Sequence, residues 1–243
     1  MVELTQFEIL QYSMLIVYVS FLIIISLMFF KKYSEFKRRE YLFVGLAFLL
    51  SAVFVYIPYI ISFVMILLSG RGFDDIVFIV AMSFLPTYLI AWMITFSNLT
   101  YESKKKLILL STIIVISILE TFYYTIFFLK GSSAIGCGKR GIYMYWTPFS
   151  SLFIIIINLI FLLTALLFAF KAFKSNIKEN RLKGKFLVIA TILIILGSIF
   201  DGVLTLPGDL FIITRIIQII AVILYYIGFI LPYSIKNLFL KEN

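Results

Sequence analysis

The sequence contains no histidine. That absence excludes histidine-ligated haem, imidazole-bound zinc and histidine acid–base catalysis. A single cysteine, Cys137, rules out an intramolecular disulfide and leaves the redox compartment open. Charge is scarce as well. Charged residues make up 14% of the chain and hydrophobic ones 63%, where a soluble domain has roughly a quarter and a half. No complete catalytic or cofactor-binding constellation occurs, so neither an enzyme nor a bound metal or cofactor is expected.

What the chain has instead is apolar length. An α-helix rises about 1.5 Å per residue, so about 20 apolar residues cross the roughly 30 Å hydrocarbon layer of a bilayer. Runs such as LFIIIINLIFLLTALLFAF meet that length without the alternation a membrane barrel needs. Seven runs qualify, at 8–30, 41–68, 76–97, 107–129, 142–170, 186–206 and 210–233. The expectation is an all-α, polytopic membrane protein, a single seven-helix bundle over 1–243. Pro58, Pro86 and Pro148 fall inside runs and are expected to kink them. The LPGDL turn at 206–210 predicts a tight antiparallel hairpin of helices six and seven. A loose parallel between the stretches that end at Pro58 and Pro207 leaves room for an internal repeat.

Basic residues set the orientation. Sixteen of the 21 Lys and Arg fall in alternate connections: Lys31 to Arg39, Lys104 to Lys106, Lys171 to Lys185, and the tail with Lys236 and Lys241. Four, namely Arg71, Lys130, Lys139 and Arg140, fall on the other side, and Arg215 lies within a run. The richer side reads as cytoplasmic. With seven helices the N-terminus is then outside and the C-terminus inside, in a cell membrane. MVELTQFEIL carries acidic rather than basic residues ahead of its apolar run, so the first helix reads as a span and not as a cleaved leader. The net charge of +9 would suit nucleic acid, but its spread between apolar runs points to anionic lipid headgroups instead.

Three charges lie inside the runs: Glu120, Asp201 and Arg215. A charge at the bilayer centre is costly, so each should face the interior. Helical rise puts Glu120 about 20 Å and Asp201 about 22 Å from the cytoplasmic side, with Arg215 about 8 Å below the outer one. All three share a level in the outer half. Each also sits on a polar stripe: Ser117, Glu120 and Tyr124; Ser198, Asp201 and Thr205; Arg215, Gln218 and Tyr225. Two readings stand, a ligand-binding or proton-linked site and a structural ion pair pinning helices four, six and seven. Asn158 on helix five reads as an interhelical hydrogen-bonding position. Tyr143, Tyr145 and Trp146 read as an interfacial aromatic belt at the outer end of that helix.

Retinal-binding families hold their chromophore on a lysine of helix seven, where this chain has only Arg215. The Trp146-Thr147-Pro148 step, the basic loop that follows helix five, and the Asp201-bearing sixth helix resemble the seven-helix membrane region of some prokaryotic sensor kinases. That resemblance implies a sensor- or receptor-like protein. It would bind a small ligand and signal through a cytoplasmic partner, since no kinase domain occurs within these 243 residues. The alternatives are a small-solute or proton-linked transporter and a non-catalytic accessory subunit.

Overall fold

The computed structural model describes residues 4–101, 103–129, 131–139, 141, 143–202 and 208–240. The structure is built on long helices: α1 (Gln6–Phe36), α2 (Arg39–Ser69), α3 (Asp75–Thr100), α4 (Ser103–Leu129), α5 (Pro148–Phe173), α6 (Lys178–Gly202) and α7 (Gly208–Ile230), followed by the short α8 (Tyr233–Phe239). Among the described residues, six helical stretches are long and apolar enough to cross a membrane. The chain is a membrane-embedded α-helical protein. Outward faces are apolar, with Ile118 and Phe122 on α4 each 62% exposed, as lipid contact demands.

Helix limits follow local chemistry. Thr5 caps α1 in a capping box, its hydroxyl accepting the Glu8 amide at 3.2 Å while the Glu8 carboxylate accepts the Thr5 amide at 2.8 Å. Lys31 to Glu35 continue α1 past the apolar run, and Lys37 stops it with a left-handed φ of 55°. Two prolines reshape the helices that carry them. Ahead of Pro58, α2 widens into a π turn over Ala52–Tyr56. At Phe84–Leu85 α3 breaks into Asp75–Ser83 and Pro86–Thr100. Proline has no N–H and its ring crowds the carbonyl four residues back, which accounts for both departures.

One expected helix start is corrected. Residues 143–146 lie in a strand, β2 (Tyr143–Trp146), paired antiparallel with β1 (Gly136–Lys139), and α5 begins at Pro148. The segment is as apolar as a helix end, but its aromatics favour a strand. Pro148 therefore opens a helix at the first position, where proline's missing donor costs nothing, and does not kink one. The aromatic residues expected at the end of helix five accordingly sit in this hairpin. The seventh helix stops at Ile230 and not at 233, because Leu231 adopts a φ of 49° ahead of Pro232.

Two compact units divide the chain, Met1–Ile157 and Asn158–Asn243, with α5 running through the boundary. In the first, α2 packs against both α1 and α3 around Leu22, Phe29, Val44, Phe78, Leu89 and Met93. Ser26 donates to the Gly45 carbonyl at 2.6 Å, a close approach in which a Cβ at Gly45 would meet the Phe30 ring at 2.7 Å. In the second, α6 and α7 pack along their length. Leu187 lies against Gly228, Thr191 bonds Tyr225 and Gly197 lies against Gln218, so the partners step in opposite directions and the pair is antiparallel. Residues 203–207, with most of the expected turn, lie outside the described residues.

Candidate functional site

The inward face of α4 can be read from its burial. Ile113, Glu120, Tyr123 and Tyr124 are buried, while Ile114, Val115, Ile118, Leu119 and Phe122 are exposed, a helical period that turns Glu120 into the protein. Glu120 is 0% exposed, and neither carboxyl oxygen has a hydrogen-bond partner. It makes no ion pair among the described residues. A buried acceptor left unpaired costs about 1–3 kcal/mol, so such a group is a feature the fold carries at a loss.

Around it stand tyrosines. Tyr88, just past the break in α3, and Tyr124, one turn along α4, both interact electrostatically with Glu120. Tyr56, the last residue of the π turn, is coupled in turn to Tyr88, and Tyr59 to Tyr124. The Tyr124 hydroxyl is buried near Ser150 without hydrogen-bond geometry to it or to any other described group. Tyr88 itself is half-buried. The two helix irregularities meet here: Phe54 of the π turn stacks on Phe84 of the break, ring centroids 4.9 Å apart.

One end of the site is roofed. Ser150 donates to the Ile135 carbonyl at 2.9 Å, Thr147 reaches the same carbonyl at 3.1 Å, and the Tyr123 and Ser150 hydroxyls lie 3.5 Å apart. Ser62 of α2 donates to the Gly141 carbonyl in the hairpin turn and accepts the Phe73 amide at 2.7 Å. Hairpin, α2 and the connection that leads into α3 are thus tied by one buried hydroxyl.

In the second unit Arg215 is 4% exposed and donates Nη1 to Gln218 Oε1 at 2.8 Å. Gln218 occupies the space left by Gly197, where a Cβ would meet its Cγ at 2.5 Å. The Tyr225 and Thr191 hydroxyls lie 2.9 Å apart.

Of the residues singled out from sequence, Glu120 therefore sits with Tyr124, and Arg215 with Gln218. Ser117 is turned back on its own helix, its hydroxyl on the Ile113 carbonyl at 2.8 Å. Ser198 and Asn158 are half-buried on α6 and α5. The Asp201 side chain lies outside the described residues, as does Thr205. Missing from the sequence reading were Tyr56, Tyr59 and Tyr88. A signal for them existed: Tyr56, Tyr59 and Tyr88 all lie within two residues of a proline inside an apolar run. No protein-family model, curated protein or solved structure matches the chain.

Proposed function

We propose that this chain is a seven-helix, sensor- or receptor-like membrane protein that binds a small ligand beside Glu120 and signals through a cytoplasmic partner. The observation that carries the reading is a fully buried carboxyl with two unpartnered oxygens, in a unit where α2 and α3 both lose regular helix. Irregular turns inside membrane helices gather at functional sites, and intramembrane ionisable groups mark ligand or ion paths. In this reading α6, from Phe186 onward, adds the sixth span in chain order to the six apolar stretches and brings the total to seven, and the N-terminus lies outside. Asp201, Arg215, Gln218 and Ser198 form the polar lining of the second unit. The basic residues at the start of α6 face the cytoplasm, where they meet anionic headgroups and the partner. Likeness to the membrane region of sensor kinases supports a signalling role without catalysis in the chain itself.

A second reading, a small-solute or proton-linked carrier, is favoured by the same two helix breaks, because discontinuous helices build transport sites. One experiment separates them. The full chain is reconstituted in liposomes and challenged with a panel of small solutes, wild type beside Glu120→Gln. Ligand-dependent stabilisation without flux supports the receptor, and Glu120-dependent flux replaces it with the carrier. Cys137, the single cysteine and an exposed one, reports the topology. An impermeant maleimide should label it from outside intact cells, and labelling only after lysis would reverse the orientation.

A further inference from the structure

We propose that α8 is an interfacial helix lying on an anionic membrane surface, with Ile235, Leu238 and Phe239 in the lipid and the basic start of α6 against the headgroups. The proposal is independent of Glu120, and every residue it uses lies in the unit Asn158–Asn243.

Covalent geometry places α8 at the bilayer boundary. The apolar stretch of α7, Ile212–Ile230, has 19 residues. At about 1.5 Å each they reach about 28 Å and just fill the roughly 30 Å hydrocarbon layer. Leu231 then turns the chain with a φ of 49°, and α8 starts at Tyr233. Three peptide steps extend about 10 Å at most, so α8 begins within that distance of the layer's edge.

The pattern of α8 suits that place. Ile235, Leu238 and Phe239 share one face by i, i+3 and i+4 spacing, and Asn237 falls on the opposite one. Leu238 is 68% exposed, Phe239 56% and Tyr233 77%. The protein thus leaves large apolar side chains uncovered at the depth where lipid can cover them, and tyrosine is favoured among headgroups.

An anionic surface is indicated by α6, which has two faces at this end. One carries Glu179, Lys183 and Phe186 and seats α8. The Glu179 carboxylate lies 3.0 Å from Lys236 Nζ and 3.1 Å from Lys183 Nζ, and the Phe239 ring stands edge-on to Phe186 with centroids 5.8 Å apart. The other face, Lys178, Arg181 and Lys185 at i, i+3 and i+7, is exposed. Residues 171–185 hold six Lys and Arg against one acid, Glu179, which is already engaged. The remaining charge is positive and is drawn to the negative potential of an anionic leaflet. A soluble protein partner on the same face would have to displace lipid already within reach of Leu238.

The test uses the full chain with Cys137→Ser and either Leu238→Cys or Asn237→Cys, the new thiol carrying a nitroxide. The protein is placed in nanodiscs of phosphatidylcholine with or without phosphatidylglycerol. Collisions with oxygen, which concentrates in lipid, and with a water-soluble nickel chelate give the depth of each label. In the anionic discs the label at 238 should lie about 5–10 Å into the headgroup–acyl boundary, and the label at 237 should stay in water. Omitting phosphatidylglycerol, or raising the salt, should make the 238 label shallower. Lys178→Gln, Arg181→Gln and Lys185→Gln together should shrink the difference between the two lipid mixtures. Both labels in water in every disc overturn the interfacial helix and leave the face to a protein partner. Equal depth at 238 with and without phosphatidylglycerol overturns the anionic preference, and an undiminished lipid difference in the triple variant overturns the role given to α6.

Discussion

Replacing Ser62 by alanine should loosen the hairpin that roofs the site while leaving the helices in place. Ser62 is 0% exposed, and its hydroxyl makes two hydrogen bonds across long stretches of sequence, to the Gly141 carbonyl and from the Phe73 amide. The backbone at Gly72 is folded so closely over it that an added Cβ there would lie 2.7 Å from the hydroxyl oxygen. Alanine removes both bonds, one to the half-buried Gly141 and one from the half-buried Phe73. Each net bond contributes about 0.5–1.5 kcal/mol, so the loss is about 1–3 kcal/mol. At about 1.4 kcal/mol per factor of ten, local opening becomes roughly 5- to 150-fold more frequent. Hydrogen exchange of peptides spanning 136–146 measures this directly. Ser13→Ala is the control, because that exposed hydroxyl only bonds back to Ile9 on its own helix at 2.8 Å. Unchanged exchange in the hairpin of Ser62→Ala would refute the tie.

Other consequences can be read from single contacts. Thr191→Val should cost more than Tyr225→Phe, about 1–3 against about 0.5–1.5 kcal/mol by thermal unfolding. The first removes a hydroxyl that bonds both Tyr225 and the Leu187 carbonyl, whereas the second leaves Thr191 bonded to the Leu187 carbonyl at 2.7 Å. Gly228→Val should destabilise by about 1–3 kcal/mol, since its first side-chain carbon already meets Leu187 at 2.6 Å. Stability should also fall on acidification in the range below the ordinary carboxylate value. Hydrogen bonds from Lys236 and then Lys183 hold the Glu179 carboxyl below that value. Its contribution is therefore full above the unfolded pKa and lost as pH drops through the lowered folded one. The pair is partly exposed, so less than about 1 kcal/mol is at stake, and Lys236→Met should flatten that part of the pH profile.

The apolar runs made the long helices legible, because length and hydropathy alone decide whether a segment can satisfy its backbone inside lipid. Ends were less legible. Hydropathy could not separate Tyr143–Trp146 from the helix after it, since strand and helix both tolerate aromatic residues and the pairing partner, Gly136–Lys139, is glycine-rich and silent. Pro58 and Pro86 announced irregularity, but the π turn and the break that result depend on how neighbouring rings pack. Glu120 was legible as a buried charge because lipid leaves an ionisable group few alternatives. Its neighbours were not. Tyr88 belongs to another helix, and only the fold brings it within electrostatic range of the carboxyl.

The most direct test of Glu120 as a binding group, and not a structural one, is the thermal unfolding of Glu120→Leu beside wild type in the same detergent. A carboxyl without partners contributes nothing to the fold, so the variant should unfold at the same temperature or higher while losing every ligand-dependent shift. A drop equivalent to about 3–5 kcal/mol, the cost of breaking a buried ion pair, would show that the carboxyl holds helices together and would contradict the account.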